Sequence, residues 1–138
     1  GRLNPLPGRR GSLVLDDTYS SSPAAVEAAL ETLAALEGRR KIAVLGDMLE
    51  LGKAARSAHR RILGLTRKLK VDKVYTFGKL WPSARHSKKQ LIKSLQKIIR
   101  PRDIILVKGS RGMRMEDVVE ALRLGGGIGR HTSLRGWR

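Results

Sequence analysis

The chain alternates short apolar runs with stretches of helical period. Ser12 to Leu15 (SLVL) predicts a first strand, followed by the polar cluster DDTYSSSP. Ser22 then has the side chain of a helix N-cap, and Pro23 the fixed φ suited to a first helical position. Val26, Ala29, Leu30 and Leu33 recur at the spacing that lines one helix face, and Gly38 supplies a stop. Ile42 to Leu45 (IAVL) is apolar at every position, as a strand buried on both faces of a parallel sheet must be. A second helix is predicted with Ala58, Ile62, Leu65 and Leu69 on one face. Strand Lys73 to Phe77 follows, then a helix bearing Leu91, Leu95, Ile98 and Ile99. Strand Ile104 to Val107 leads through KGSRGMRM into a last helix with Val118, Val119 and Leu122. Strands alternating with helices of about ten or more residues predict a single α/β domain, doubly wound, with a mainly parallel sheet flanked by helices. After Leu124 neither period nor core residues remain, and residues 124–138 read as a disordered basic tail.

Composition narrows the chemistry. With 41% hydrophobic residues in 138, one compact core is within reach. The absence of cysteine removes disulfides, thiolate metal sites and a thiol nucleophile. No apolar run approaches the roughly 18 residues of a membrane span, and no charged-then-apolar leader opens the chain; the expected setting is cytoplasmic. Starting at GRLN without an initiator methionine, the chain reads as cut from something longer. Net charge is +17, from 29 Lys and Arg against 12 Asp and Glu, which suggests anionic company. The basic pairs Arg9/Arg10, Arg39/Arg40, Arg60/Arg61, Arg67/Lys68 and Lys88/Lys89 are spread along the chain, however, and aromatics are only 4%, so a base-stacking platform is poorly supplied. Nucleic acid is therefore the lesser expectation.

Ligands of open parallel sheets bind beyond the carboxyl ends of the strands, and the least core-like residues fall there. Asp16, Asp17, Thr18 and Tyr19 follow the first strand, Gly46, Asp47 and Met48 the second, Gly78 and Lys79 the third, and Lys108, Gly109, Ser110 and Arg111 the fourth. Four loops thus deliver carboxylates, a hydroxyl and cations to one edge. Each has a plainer use: Asp16/Asp17 as loop caps, Gly46-Asp47 as a turn. KGSRG, before a helix, also suits an anion cradle of backbone N–H groups and an arginine fork. His59 and His86 lack metal-ligand spacing and read as surface or structural, and His131 lies in the tail; no metal site is predicted. No GxxxxGK[ST] occurs, because Gly52-Lys53 is followed by Ala54 and Gly78-Lys79 by Leu80. If ATP is used, another segment must cradle its phosphates.

GRLN at Gly1 to Asn4, DDTYSSSP at Asp16 to Pro23, RRKIAVLGDMLELG ending at Gly52 and DIILVKGSRGMRMEDVVEAL ending at Leu122 together resemble the carboxy-terminal domain of Mur ligases. The resemblance runs in order over residues 1–123, with 1–11 as the hinge or linker segment, and GDMLELG and LVKGSRGMRME point to the branch that handles D-Ala-D-Ala. It implies a Rossmann-like capping domain of a three-domain enzyme. An amino-terminal domain holds the UDP-sugar, a central P-loop domain holds ATP and Mg²⁺, and this domain closes over both. The implied reaction phosphorylates the terminal carboxylate of UDP-MurNAc-tripeptide with ATP, and the amine of D-Ala-D-Ala attacks the acyl phosphate. The isolated chain is expected to be inactive.

By the same resemblance, Arg2 is the hinge arginine that approaches the nucleotide phosphates, and Asp17 the aspartate that locks the closed state; these two are the catalytic candidates. Tyr19, Ser20 and Ser22 belong to the nucleotide-facing loop, and Asp47, Lys108, Ser110 and Arg111 face the incoming dipeptide or the reaction centre. Arg111 either pairs with the dipeptide carboxylate or forms an internal salt bridge. Three departures stand out. DDTYSSSP replaces the family's usual DDSYNANP, so Ser20 and Ser22 stand for asparagines. The segment between Gly78 and Leu91 is short, and +17 is abnormal for such ligases. A basic nucleic-acid-binding module and a non-catalytic scaffold relative are the alternatives.

Overall fold

The computed structural model describes residues 3–19, 21–83 and 87–126. Five strands and four helices follow in the order β1 (Asn4–Pro7), β2 (Leu13–Asp17), α1 (Pro23–Ala35), β3 (Lys41–Gly46), α2 (Ala55–Lys68), β4 (Lys73–Phe77), α3 (Lys88–Ile98), β5 (Ile104–Lys108) and α4 (Glu116–Leu122). The strands form one sheet in the order β1-β2-β5-β3-β4, with β1 antiparallel to β2 and the other four parallel.

Alternation along the strands sorts the core into two layers. Val14, Ile42, Val44, Ile105 and Val107 point to the face covered by α3 and α4, where Leu91, Ile92, Leu95, Val118 and Leu122 meet them. Leu15, Ala43, Leu45, Ile104 and Leu106 point to the other face, against Val26, Ala29, Leu30 and Leu33 of α1 and Ala58 and Ile62 of α2. The doubly wound α/β fold follows, Rossmann-like and mainly parallel. Ser22 caps α1 as the pattern predicts, its Oγ accepting from Ala25 N–H at 3.1 Å, with Pro23 in the first turn.

The structure departs from the sequence pattern in four places. Residues 4–7, within the expected hinge segment, form the edge strand β1. Helix α1 ends at Ala35, before Gly38. On α2 the buried face is Ala58, His59, Ile62 and Thr66, while Leu65 and Leu69 lie half-buried at its margin. The stretch assigned to the tail begins as ordered chain: Leu124 N–H donates to Pro7 O at 2.9 Å, and Arg9 donates to Gly126 O at 2.9 Å and Ala121 O at 2.7 Å. Residues 127–138 and His86 lie outside the described residues.

At the amino ends of the parallel strands, fully buried Asp103 accepts two bonds from Arg40, at 2.8 and 3.0 Å, and one from Arg100 N–H at 2.8 Å. Burial pushes the Asp103 carboxyl up, but the Arg40 and Arg100 bonds and charges outweigh it and hold the group below the ordinary carboxylate value. That cluster pins one end of the sheet and leaves the opposite rim to the site.

Candidate functional site at the carboxyl rim

Strands β2, β5 and β3 lie side by side, and parallel register brings their last residues level. Asp17 is the register partner of Lys108, whose other neighbour is Leu45, one residue before the end of β3. Alternation sends both Asp17 and Lys108 to the α1 face, because Leu15 and Leu106, two residues earlier, already point there. Lys108 Nζ lies 3.0 Å from Asp17 Oδ2, with side-chain exposures of 1% and 12%. A lysine so enclosed needs its charge balanced, and Asp17 balances it at the edge of an opening. That opening is a cavity of about 250 Å³ lined by Leu3, Asp17, Ala25, Ala28, Ala29, Thr32 and Lys108. Asp16, on the other face, instead accepts from Thr18 N–H at 3.2 Å and Thr18 Oγ1 at 2.8 Å, so one member of the acidic pair is the local loop cap.

The loops after β3, β4 and β5 are fastened to one another around Asp47. Its buried carboxylate accepts from Lys79 N–H at 3.1 Å and Leu80 N–H at 3.2 Å, while its backbone carbonyl accepts from Ser110 N–H at 3.2 Å. Ser110 Oγ accepts from Leu49 N–H at 2.8 Å. Gly78 sits at φ +121, and a side-chain carbon there would overlap the Asp47 carboxyl, so only glycine lets this loop approach. Behind Asp47, His59 is fully buried with its edge against Trp81, ring centroids 4.5 Å apart. Its Nε2 accepts from Met48 N–H at 3.0 Å and its Nδ1 donates to Ala55 O at 2.6 Å, an arrangement that requires the neutral ring and makes His59 structural.

Over this floor the guanidinium of exposed Arg111 stands 5.3 Å from the ring centre of Tyr19, which is 60% exposed. The contact joins the loop after β2 to the loop after β5 and leaves both groups facing solvent.

Of the residues singled out in the sequence, Asp17, Lys108, Tyr19 and Arg111 gather around the β2 and β5 ends, with Asp47 and Ser110 beside them in the adjoining loops. Lys108 turns inward to Asp17, Asp47 and Ser110 bond to neighbouring backbone, and Ser22 Oγ is spent on capping α1. Arg2 and Ser20 lie outside the described residues. Among the described residues no three His, Asp or Glu side chains converge as a metal site. Sequence reasoning missed the α1 wall of the cavity. Ala25, Ala28 and Thr32 are small enough to leave room beside the ion pair, and their only signal was a helix face unusually poor in bulk.

Residues 1–111 match the family described as Mur ligase, glutamate ligase domain. The UDP-N-acetylmuramoyl-tripeptide–D-alanyl-D-alanine ligase of Bacillus subtilis (strain 168) is 33% identical over 137 residues, covering 88% of this chain and 30% of the relative. The enzyme of the same name from Escherichia coli (strain K12) is 34% identical over 137 residues, covering 91% and 30%. Among solved structures, the MurF ligase from Thermotoga maritima in complex with ADP is similar at a TM-score of 0.76 and 30% identity, over 88% of this chain and 30% of that one. The chain therefore spans a little under a third of the length of these relatives. With the family match extending over most of the sequence, and the fold agreeing with it, the chain belongs to the Mur ligase family and corresponds to its carboxy-terminal domain.

Proposed function

We propose that this chain is the capping domain of a cytoplasmic, ATP-dependent ligase that adds D-Ala-D-Ala to UDP-MurNAc-tripeptide in peptidoglycan precursor synthesis. The observation that carries the reading is the Asp17–Lys108 pair flooring a cavity of about 250 Å³. Self-sufficient ligand pockets run to roughly 300–1,000 Å³, so this rim suits one wall of a site completed by other domains. The lack of a P-loop motif in the sequence agrees. The nucleotide phosphates and Mg²⁺ are assigned to a central domain and the UDP-sugar to an amino-terminal one.

ATP supplies the phosphoryl group that activates the tripeptide carboxylate as an acyl phosphate for attack by the dipeptide amine. Such a reaction is served by positioning and charge balance rather than by a protein nucleophile. Arg2 then approaches the phosphates from the hinge, while Asp17, held in one orientation by Lys108, meets the nucleotide side of the closed site. Tyr19, Ser20 and Ser22 line that side. Asp47 sets the loop bearing Lys79 and Leu80, and Ser110 and Arg111 face the dipeptide, Arg111 offering a planar fork to its carboxylate. Leu3, between Arg2 and Asn4, holds a φ of +51, which leucine adopts at a cost, and this suits a hinge that changes conformation on closure.

The test uses the full-length ligase. Arg2→Ala is expected to lower turnover by orders of magnitude without unfolding the domain. Arg111→Ala is expected to raise KM for D-Ala-D-Ala by about ten- to a hundredfold, the value of hydrogen bonds to a charged group, with KM for ATP nearly unchanged. Unaltered turnover in Arg2→Ala removes it from the site, and an equal rise in both KM values removes Arg111 from the dipeptide.

A further inference from the structure

Nearly all of the excess charge lies in one contiguous stretch. Residues 51–102 contain 16 Lys and Arg against one acid, Asp72, which is +15 of the chain's +17. Three of the basic pairs, Arg60/Arg61, Arg67/Lys68 and Lys88/Lys89, are gathered by the fold, because this stretch builds α2, β4 and α3. Strand β4 is an outer strand of the sheet, and α2 and α3 pack on its opposite faces. At the other side of the sheet α1 carries Glu27 and Glu31 without a cation, and α4 carries Glu116, Asp117 and Glu120. The molecule is polarised from a basic β4 side to an acidic β2 side.

Folding alone does not call for this arrangement. Among the described lysines and arginines of the stretch, only Lys88 has an ion pair, with Asp117 at 3.2 Å. Arg56 opens α2 and Lys89 lies in the first turn of α3, where the helix dipole favours acids and neither helix has one. Lys89, Lys93 and Lys97 repeat at four-residue steps on exposed positions of α3, so like charges stand in neighbouring turns. Each feature costs stability, and an anionic partner offsets all of them at once.

The seat is a groove along α3. It is an open cavity of about 710 Å³ lined by Arg10, Gln90, Lys93, Ser94, Gln96 and Lys97, with Lys89 one turn before Lys93. Arg10 is held at the end of α3 by a 3.4 Å bond to Ile99 O. Cations interleaved with neutral amide and hydroxyl donors are what a phosphodiester backbone takes. Lysines four residues apart advance about 6 Å along the helix axis, close to two phosphate steps of a strand at roughly 3.4 Å each.

We propose that the α3 groove binds the phosphate backbone of double-stranded nucleic acid without reading its sequence. Single strands are disfavoured by the lack of exposed aromatics there, and Trp81 is buried. A bilayer is disfavoured because, among the described residues, the exposed large apolar side chains, Tyr19, Leu36, Leu49 and Leu124, all lie outside residues 51–102, away from the groove.

The experiment titrates the 138-residue chain into a fluorescein-labelled random duplex of about 20 base pairs, read by anisotropy from about 50 to 200 mM NaCl. If Arg10, Lys89, Lys93 and Lys97 neutralise four phosphates, log K falls against log salt with a slope of about −3.6, roughly a hundredfold over that range. The triple substitution K89Q/K93Q/K97Q is expected to flatten the slope by about 2.7 and leave the thermal melt in place. Lys93→Glu is expected to weaken binding several times more than Arg39→Glu, which makes the same change in net charge at an exposed position outside the groove. No binding at the low-salt end, wild-type affinity in the triple variant, or equal loss in Lys93→Glu and Arg39→Glu overturns the proposal. So does tighter binding to vesicles of phosphatidylcholine and phosphatidylserine, at a ratio of roughly 7:3, than to the duplex.

Discussion

Replacing Asp17 with asparagine tests the central feature of the rim, because it keeps the shape of the side chain and removes one charge. Lys108, 1% exposed, then loses the carboxylate that lies 3.0 Å from its Nζ. Breaking one side of a buried pair costs about 3–5 kcal/mol. Asp17 borders the cavity and keeps 12% of its side chain exposed, which places the cost near the lower end, about 3 kcal/mol. Against a total stability of roughly 5–15 kcal/mol that is a large share. Lys108→Met leaves a carboxylate that the cavity solvates, so it costs less. The double variant D17N/K108M removes both charges and is expected within about 1 kcal/mol of the parent. The assay is urea unfolding at neutral pH followed by circular dichroism. With m of about 1–3 kcal/mol/M, Asp17→Asn lowers the midpoint by about 1–3 M. A coupling energy of about 2 kcal/mol is expected from the cycle. An unchanged midpoint in Asp17→Asn, or single-site losses that simply add, would refute the reasoning that the pair is buried and mutually dependent.

The cluster at the other end of the sheet predicts an acid limb in stability. Asp103 is held below its ordinary value of 3.8, so the native state binds fewer protons than the unfolded chain; the stabilisation is complete above that value and is lost as pH falls through the lower native pKa. Urea midpoints taken between neutral pH and about pH 2 should decline in the parent and lose this part of the decline in Asp103→Asn. Gly78→Ala is expected to destabilise the domain by about 1–3 kcal/mol, from the strained φ and the clash with Asp47, and to weaken hydrogen-exchange protection at Lys79 and Leu80. Ser22→Ala removes the α1 cap and should cost about 1 kcal/mol in thermal unfolding.

Strands β3 and β5 were readable because IAVL and IILV are apolar at every position, β2 and β4 because short apolar or aromatic runs stand between polar loops, and the α1 face because Val26, Ala29, Leu30 and Leu33 obey one period. Strand β1 was not readable. NPLP has two prolines and no apolar alternation, and it is tolerated only because an edge strand pairs on one side. On α2 the pattern favoured Leu65 and Leu69, yet His59 and Thr66 occupy the buried positions. Both are made acceptable by bonds no periodicity reveals, His59 to Ala55 O and Met48 N–H, Thr66 Oγ1 to Leu63 O at 2.6 Å.

The site was legible as a set of loops and illegible as a set of roles, and the cause lies in two residues at the end of β2. The apolar run stops at Leu15, so the pattern places Asp16 and Asp17 in a loop where either could cap. The strand continues to Asp17 because Asp16 and Asp17 keep register with Val107 and Lys108. Once inside the strand the two acids must face opposite sides. Position alone then decides that Asp16 turns to Thr18 and Asp17 to Lys108, although the two side chains are chemically identical. The deciding partner is 91 residues away in the chain, and Lys108 reads locally as a free cation. A charge at the end of a buried strand takes its role from whichever strand lies beside it, so the rim chemistry becomes visible only with the order β2-β5-β3. Single variants separate the two acids: Asp16→Asn should loosen only the Thr18 turn, while Asp17→Asn disturbs the floor of the site.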